Sequence, residues 1–389
     1  MIAAPYAATI FYTTQVAEDL CRFLVDSTNG HMARAYIVNS GSEAMEAAVK
    51  LARQYFLEKS MPEPHRTRYI SRRQSYHGIT LGALAVGGHA TRRAKFEPLL
   101  TKNVSQVSPC YAYRGKHDRE TDEEYVARLI AELDDEFQRV GPDTVCAFVA
   151  EPIVGAALGC VPCLPGYFSA VREVCDRYGA LLIMDEVMCG MGRTGTLHAW
   201  EQEGVAPDIQ TIGKCLGGGY QPIAVVLASH KVIDVIRKGT SVFVHGHTFQ
   251  GHPTCCAAAL EVQKIIQEGN LLDNVKNMGR LLEKLLTDRL SQHPNVGDIR
   301  GRGLFWGIEL VADKKTKAPL PRADQTAIVL CEKGLEEPYS IGVYPAGGTA
   351  EDGIRGDVII ISPAFTVTAD EIGDVVSRVT RLIQDHFHA

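Results

Sequence analysis

The sequence TIGKCLGGGY at residues 211–220 sets one lysine, Lys214, between an apolar run and a cluster of glycines. Three apolar runs each end in an ionisable residue: residues 145–151 in Glu151, residues 180–185 in Asp185 and residues 208–214 in Lys214. Parallel strands of α/β folds present ligands at their carboxyl ends. The pattern therefore predicts an α/β fold in which these three side chains meet at one edge of a parallel sheet.

These side chains suit the chemistry of one cofactor. A lysine beside glycines suits an amine that forms a Schiff base, because the glycines let a flat ligand approach the backbone. An aspartate suits a partner for a pyridinium nitrogen. The combination points to pyridoxal 5'-phosphate.

Further motifs follow one another along the chain. They are NSGSEA at residues 39–44, SYHG at 75–78, EPI at 151–153, DEVMCGMGRTG at 185–195, PDI at 207–209, HGHTFQGHP at 245–253, RGLFWG at 302–307 and ISP at 361–363. Together with the lysine motif, they resemble the class III aminotransferases, which are pyridoxal-phosphate enzymes of fold type I. The resemblance covers essentially the whole chain, and the number of ordered matches makes it specific.

The fold that this resemblance implies agrees with the alternation of strand and helix patterns. We expect a mostly parallel central sheet with helices on both faces, followed by a smaller C-terminal α+β domain. The expected divisions are a partial N-terminal segment at residues 1–30, a large cofactor-binding domain at 31–269 and a small domain at 270–389. The local patterns predict a strand at 35–39, helices at 44–53, 166–178, 271–293 and 326–334, a strand at 303–310, and a final strand and helix.

Composition limits the classes of partner. The 389 residues are 46% hydrophobic and 22% charged, with a net charge of -6 and no concentrated basic stripe. These values argue against nucleic acid and anionic membranes, and favour small-molecule substrates. No apolar run is long enough for a membrane span, and the first residues lack a basic leader pattern, so a cytoplasmic location is expected.

The eleven cysteines are scattered through predicted strands and helices, which is typical of a reducing compartment. Cys160 and Cys163 satisfy the C-x-x-C spacing. A redox or zinc site would need a thioredoxin-like context or a second pair of ligands, and neither is evident, so both are expected to be loop cysteines. Cys255 and Cys256 lie in a predicted helix and are expected in the core.

The phosphate of the cofactor has an obvious candidate site. Ser40 and Glu43 form the pattern of a helix capping box, so Ser40, Gly41 and Ser42 lie where free backbone N–H groups and hydroxyls can bind a phosphate. An ordinary N-cap is the alternative, and the resemblance favours the phosphate.

The ring of the cofactor also has candidate neighbours. The resemblance implies that Tyr76 stacks on one face of the ring, that Val187 packs on the other, and that His77 belongs to the same site. Core packing is the alternative role for such residues.

An aspartate at the end of an apolar strand needs a cationic partner. For Asp185 that partner is the pyridinium nitrogen, or alternatively an arginine, with Arg193 as the obvious rival. The resemblance implies that Glu151 lies near the cofactor or the substrate pocket, and a purely structural carboxylate is an equally supported alternative. Lys214 is expected to be the Schiff-base lysine and the base that moves the substrate Cα proton.

Three other functional classes have partial support in the sequence. The sequence GMGRTG at residues 190–195, with Asp208 downstream, matches a dinucleotide fingerprint, but several residues separate it from the preceding strand and no extended helix pattern opens within it. The histidines of residues 245–252 fit no zinc spacing, and no metal site is expected. A pyridoxal-binding sensor would carry a basic DNA-binding module, and none is visible.

The expected reaction moves an amino group between an amine or ω-amino acid and a 2-oxo acid or aldehyde. An aminomutase or a decarboxylase on the same cofactor is the alternative. The resemblance implies a homodimer with shared active sites, in which Thr248 completes the phosphate site of the neighbouring chain.

The substrate end of the site is less defined by the sequence. Residues 6–14 resemble a segment well inside the family pattern, so an N-terminal arm and part of the substrate pocket are expected to be missing. Phe11 and Tyr12 are candidate substrate contacts. Arg355 is a candidate partner for a substrate carboxylate, with a structural salt bridge as the alternative.

Overall fold

The computed structural model describes residues 6, 8, 9 and 11–387 of the chain. Residues 1–5, 7 and 10 of the expected N-terminal segment, and residues 388 and 389 of the expected small domain, lie outside the described residues. The division into three parts at residues 30 and 269 stays a prediction.

The described part of the chain alternates strands and helices. The strands are β1 (Met32–Val38), β2 (Arg68–Arg72), β3 (Val104–Val107), β4 (Val145–Ala150), β5 (Ile153–Val154), β6 (Val161–Pro162), β7 (Leu181–Asp185), β8 (Ile209–Ile212), β9 (Ala224–Ser229), β10 (Val296–Arg302), β11 (Phe305–Leu310), β12 (Tyr344–Gly347) and β13 (Asp357–Ile361). The α-helices are α1 (Gln15–Asp26), α2 (Gly41–Glu58), α3 (Leu81–Val86), α4 (Ala90–Arg93), α5 (Ala112–Gly115), α6 (Asp122–Val140), α7 (Tyr167–Tyr178), α8 (Trp200–Glu203), α9 (His230–Lys238), α10 (Pro253–Glu268), α11 (Leu271–Leu290), α12 (Thr326–Gly334) and α13 (Ala369–Phe387).

The central sheet confirms the expected mostly parallel arrangement. Its seven described strands lie in the order β1-β9-β8-β7-β4-β2-β3. Strands β3, β2, β4, β7 and β8 pair in parallel, while β9 runs antiparallel to both β8 and β1. The three strands that were expected to carry Glu151, Asp185 and Lys214 are therefore parallel neighbours, and their carboxyl ends share one edge of the sheet.

Helices cover both faces of this sheet, as expected. Helices α2 and α9 pack on one face with the inward side chains of the strands, and α6 and α7 pack on the other. Helix α7 illustrates the sequence signal: Phe168, Val171, Val174 and Cys175 recur at helical spacing and are all buried. Helix α2 begins at the predicted capping box, since Ser40 accepts from the amide of Glu43 and Glu43 from the amide of Ser40.

A second, antiparallel sheet occupies the C-terminal part, in the order β10-β11-β13-β12, with α11, α12 and α13 packed against it. Helix α12 and strand β11 confirm the predictions. The predicted end of α11 at residue 293 is too late, because Pro294 follows His293 and a residue before proline avoids helical geometry. Strand β12 contains Pro345, which is tolerated because β12 lies at the sheet edge.

Two other expectations are confirmed by the fold. Residues 186–199, which include the glycine-rich GMGRTG sequence, form turns, and the next helix begins only at Trp200. A dinucleotide fingerprint needs a helix that opens within the glycine motif, so this motif lacks its structural context. Cys255 and Cys256 lie in α10 and are buried. No helix among the described residues is long and apolar enough to cross a membrane.

Candidate active site

A cavity of about 280 Å³ lies at the carboxyl-terminal edge of the central sheet. It is lined by Asn39, Ser40, Gly41, Ser42, Tyr76, His77, Gly78, Glu151, Asp185, Val187, Met188, Lys214, Gly219, Gln221, Pro222 and Ile223. Nine residues that the sequence assigned to the cofactor are in this lining: Ser40, Gly41, Ser42, Tyr76, His77, Glu151, Asp185, Val187 and Lys214. They come from five different strand ends, which the fold brings together.

One wall of the cavity is the N-terminus of α2. The amides of Asn39 and Ser40 donate to the Glu43 carboxylate at 2.8 and 3.0 Å. The amides of Gly41 and Ser42, by contrast, have no hydrogen-bond partner among the residues that the structure describes. Two free N–H groups at the positive end of an 18-residue helix form a favourable site for an anion.

The Ser42 hydroxyl is held in place at this wall. Its oxygen accepts from the amide of Ile79 at 3.0 Å, which leaves its proton free to point into the cavity. Gly78 passes close by with φ +126, and a Cβ atom there would lie 2.7 Å from Ser42 Oγ. Glycine at position 78 is therefore required both by the backbone conformation and by the space.

Asp185 and His77 form a buried pair at the floor. Nδ1 of His77 lies 2.8 Å from Oδ2 of Asp185, and the side chains are 0% and 5% exposed. The other carboxylate oxygen accepts from the Val187 amide at 3.0 Å and from the Thr211 hydroxyl at 3.2 Å. Nε2 of His77 has no hydrogen-bond partner among the described residues. Asp185 is thus held in one orientation while it faces the cavity.

The rival partner proposed for Asp185 is engaged elsewhere. The Arg193 guanidinium donates to the carbonyl oxygens of Leu304 and Pro363 at 3.0 and 2.7 Å. It also lies 4.6 Å from the ring centre of Phe365. An Arg193–Asp185 ion pair is therefore not formed, and Asp185 pairs with His77 instead.

Glu151 is a buried carboxyl group behind Tyr76. Its two oxygens accept from the amides of Tyr76 and Gly155 at 3.0 and 3.1 Å. Burial raises the pKa of Glu151 above its ordinary value. Glu151 therefore connects two loops that form the cavity, and it also lines the cavity. It can fulfil both the structural role and the ligand-binding role that the sequence left open.

Lys214 follows the end of β8 and opens into the cavity. Its backbone has φ +43, a left-handed conformation that is costly for a residue with a side chain. The side chain is exposed, and it makes no salt bridge among the described residues. A primary amine without a partner, delivered by a strained backbone into a cavity, differs from an ordinary surface lysine, and geometry of this kind accompanies function.

Tyr76 and Val187 also line the cavity. The guanidinium of Arg92 lies 4.6 Å from the ring centre of Tyr76, which helps to fix the ring. Val187 approaches Gly41 so closely that a Cβ atom at Gly41 would lie 2.7 Å from Val187 Cγ1. An aromatic ring and a branched aliphatic side chain in one cavity suit a flat ligand.

Four predicted residues lie outside this lining. Thr248 is exposed, and its carbonyl oxygen accepts from the Tyr6 hydroxyl at 2.6 Å. Phe11 and Tyr12 are 79% and 67% exposed. Arg355 forms a salt bridge with Asp352 at 2.6 Å, with the two side chains 54% and 34% exposed, which is the arrangement of its structural alternative.

Some lining residues were not singled out from the sequence. Met188 follows the predicted Val187, and Gln221, Pro222 and Ile223 follow the glycine cluster. For residues 221–223, the sequence signal is that they lie close to the lysine motif. Neither periodicity nor residue type distinguishes them from ordinary loop residues. The contact between Thr211 and Asp185 follows from the parallel register of β7 and β8, in which these two residues are paired.

Comparison with known proteins adds to this geometry. Residues 5–383 match the model of the family described as aminotransferase class-III. An aminotransferase of Gibberella zeae is 52% identical over 379 residues, which are 97% of this chain and 74% of that protein. An (S)-enantioselective omega-transaminase from Thermomicrobium roseum superposes with a TM-score of 0.91 at 33% identity, over 99% of this chain and 82% of that one. An amine transaminase from an uncultivated Pseudomonas species, solved in its PLP-bound form, superposes with a TM-score of 0.88 at 33% identity. The superposition covers 96% of this chain and 82% of that one.

Proposed function

The chain belongs to the class III aminotransferases, which use pyridoxal 5'-phosphate, and we propose that Lys214 is its covalent anchor and Asp185 the partner of the ring nitrogen. The observation that carries this proposal is one cavity that contains both side chains and the two free amides of α2. An amine, a buried carboxylate and an anion site are the three groups that this cofactor requires.

The residues present fit the cofactor. The phosphate would lie on the amides of Gly41 and Ser42, with the hydroxyls of Ser40 and Ser42 beside it. The ring would lie between Tyr76 and Val187. His77 would orient Asp185 through the contact between its Nδ1 atom and Oδ2 of the carboxylate.

The reaction requires a proton to move at the α-carbon of the substrate. When bound, the cofactor provides the electron sink that makes this proton acidic. The Lys214 amine, which lines the cavity and makes no salt bridge among the described residues, would take this proton and return it at the C4' carbon. Asp185 would hold the proton on the ring nitrogen, and Tyr76 and Val187 would pack against the two faces of the ring.

The reaction is transamination between an amino donor and an oxo acceptor. The matched family and the relatives reported above are aminotransferases, so the aminomutase and decarboxylase alternatives are not retained. We propose an amine or ω-amino acid as donor, because the structures with high similarity are omega- and amine transaminases.

Recognition of a substrate carboxylate is assigned to Arg355, which would have to leave Asp352. The Arg355–Asp352 pair is partly exposed, and exposed ion pairs contribute only about 0–1 kcal/mol to stability. A substrate carboxylate could therefore replace Asp352 as the partner of Arg355 at a small cost in free energy. Phe11 and Tyr12 stay proposed substrate contacts, since both present exposed aromatic surface.

We propose a homodimer in which Thr248 completes the phosphate site of the neighbouring chain. Thr248 is exposed, and its loop also exposes Val242, Val244 and Phe249, which are 60%, 67% and 56% exposed. An apolar loop with a predicted ligand at its tip suits contact with a second copy. A cytoplasmic location is also proposed, and all eleven cysteines are free, as a reducing compartment requires.

A half-reaction screen tests the proposed function. The purified holoenzyme is mixed with a panel of amines and ω-amino acids, and the visible absorbance of the bound cofactor is followed. Donors should remove this absorbance and release an equivalent of aldehyde or oxo acid, and a 2-oxo acid should restore it. Release of carbon dioxide, or absence of any response across the panel, would contradict the proposal.

A further inference from the structure

The loop that connects strands β12 and β13, residues 348–356, carries Arg355 and is called here the Arg355 loop. Strand pairing closes its base, and within it the amide of Ala350 donates to the carbonyl oxygen of Arg355 at 2.9 Å. The Asp352 carboxylate accepts from the backbone amide and from the guanidinium of Arg355, at 2.8 and 2.6 Å. The loop is therefore an ordered unit, and its position relative to the central sheet determines where Arg355 lies.

Gln74 binds this loop from the side of the central sheet. Its side-chain nitrogen Nε2 donates to the carbonyl oxygens of Gly348 and Ala350 at 2.6 and 2.8 Å. The same side chain also approaches the far turn of the loop, since a Cβ atom at Gly353 would lie 3.8 Å from Cγ of Gln74. An ionised glutamate of the same shape could not make these two hydrogen bonds, because it has no donor.

Gln74 belongs to a segment that several hydrogen bonds fix to the active-site wall. Strand β2 ends at Arg72, and Gln74 lies two residues before Tyr76, which lines the active-site cavity. The amide of Gln74 donates to the carbonyl oxygen of Gly88 at 3.1 Å, and the buried hydroxyl of Ser75 donates to the carbonyl oxygen of Arg72 at 2.8 Å. The residue that holds the loop and the residue that lines the cavity therefore lie on one fixed segment.

The backbone at Gln74 is left-handed, with φ +53. Residues with a side chain disfavour this conformation, and glycine adopts it readily. A glutamine at this position therefore costs local backbone energy, and the contacts of its side chain with the loop offset that cost. Replacement by glycine would remove these contacts without adding backbone strain.

Packing alone does not hold the outer part of the loop. A second cavity of about 280 Å³ adjoins the contact, and its lining includes Gln74 and, on the loop, Thr349 and Glu351. The base of the loop has a separate attachment, because the Thr349 hydroxyl donates to the buried Glu309 carboxylate at 2.9 Å. Loss of the Gln74 contacts should therefore free the part of the loop that carries Arg355 while its base stays in place.

We propose that Gln74 is a positioning residue that fixes the Arg355 loop against the wall of the active site, and that it thereby sets the preference for amino donors that carry a carboxylate. This inference rests on the proposed function, in which Arg355 binds the substrate carboxylate. A cation on an ordered loop loses less conformational entropy on binding than a cation on a free loop. Donors without a carboxylate do not use Arg355, so their binding should not depend on Gln74.

Two variants separate the hydrogen bonds of Gln74 from its backbone conformation. Gln74→Glu retains the shape of the side chain but removes its donor. Gln74→Gly removes the side chain and suits the left-handed backbone. Gln106→Glu is the matched control, because the Gln106 side chain donates to the carbonyl oxygen of Gly87 at 2.9 Å from the neighbouring strand β3.

The first test is binding of butanoate, which has a carboxylate but no amine, to the holoenzyme by isothermal titration calorimetry. Both Gln74 variants should raise the Kd by about tenfold, and Gln106→Glu should change it by less than about twofold. Arg355→Gln should also weaken binding. The combined Gln74→Gly and Arg355→Gln protein should bind no more weakly than Arg355→Gln alone, because Gln74 acts through Arg355.

The outcomes separate the inference from the proposed function. If Arg355→Gln leaves the Kd unchanged, or if the wild-type holoenzyme binds no butanoate, the assignment of Arg355 fails and the inference fails with it. If Arg355→Gln weakens binding while both Gln74 variants bind as the wild type does, only the inference is overturned. Additive losses in the combined protein would also overturn it, since the two residues would then act independently.

Half-reaction kinetics distinguish positioning from a merely structural role. The two donors 4-aminobutanoate and butylamine differ only in the terminal carboxylate. Gln74→Gly should raise the half-saturating concentration of 4-aminobutanoate by about tenfold at an unchanged maximal rate, and it should alter neither value for butylamine. Equal losses with both donors would identify a general defect of the site and would contradict the positioning role.

Discussion

His77 and Asp185 lie 108 residues apart in the sequence, yet Nδ1 of His77 is 2.8 Å from Oδ2 of Asp185 at the floor of the active-site cavity. The histidine follows β2 and the aspartate ends β7, with β4 between these two strands in the sheet. The pair therefore exists only because three parallel strands end at the same level. It fixes the orientation of Asp185, the proposed partner of the cofactor ring nitrogen.

Removing the His77 hydrogen bond should weaken cofactor binding. We expect His77→Leu to raise the Kd for pyridoxal phosphate by about tenfold, because hydrogen bonds to charged groups contribute about 1.5–3 kcal/mol and part of this loss is recovered by rearrangement. His77→Asn is the matched control, since its side-chain amide can replace Nδ1 as donor. Fluorescence titration of the cofactor-free protein measures both. Equal Kd values for the leucine and asparagine variants would contradict the orienting role.

Lys214→Ala should abolish both the covalent attachment of the cofactor and turnover. Some cofactor affinity should remain, because the proposed phosphate site at Gly41 and Ser42 is unchanged in this variant. Borohydride reduction followed by intact-mass measurement detects the attachment, and Lys264→Ala, which changes an exposed lysine paired with Glu261, is the control. A reducible adduct in the Lys214→Ala protein would refute the assignment.

The shared active site can be tested with two damaged parents. Lys214→Ala and Thr248→Ala subunits are mixed, and subunit exchange is confirmed independently. If Thr248 serves the neighbouring chain, each hybrid dimer has one intact site, and random mixing should restore about a quarter of the wild-type sites. If Thr248 serves its own chain, the hybrid has no intact site and the mixture stays at the level of the parents.

Glu186 should give the protein a pH-dependent stability. It is completely buried and accepts from the amides of Ala199 and Trp200, and burial raises its pKa to about 8, from an ordinary value of 4.5. Between these two pH values the folded state binds more protons than the unfolded state. The free energy of unfolding should therefore fall as pH rises, by up to about 1.4 kcal/mol per pH unit.

Chemical denaturation near the two ends of this pH window measures the effect of Glu186. The glutamine side chain of the Glu186→Gln variant cannot ionise. The free energy of unfolding of this variant, relative to that of the wild type, should therefore be higher at the alkaline end of the window than at the acidic end. Glu173→Gln, at an exposed position, is the control and should differ from the wild type equally at both. A Glu186→Gln difference that is independent of pH would contradict the prediction.

Much of the site could be predicted because its signals are local. The strand ends at Glu151, Asp185 and Lys214 follow from apolar runs that stop at a charge, and the capping box of α2 from the spacing of Ser40 and Glu43. Helix α12 likewise lies at the predicted residues 326–334. In each case, a short stretch of sequence contains both the residue and the reason for its position.

The remaining features depend on contacts that no short stretch contains. Arg193 was the expected rival for Asp185 because it is close in sequence, but the fold turns it toward Leu304 and Pro363. Strand β12 has weak strand propensity and exists because β13 offers it an edge.

The left-handed backbone at Lys214 limits how this enzyme can be engineered. A lysine side chain at position 215 would extend from a backbone that is not left-handed, and it would therefore point in a different direction. Moving the amine to this adjacent position should not recreate the site. Libraries aimed at new substrates should therefore keep residue 214 and its preceding glycine fixed. Variation is better placed at residues 221–223, which line the same cavity without carrying its chemistry.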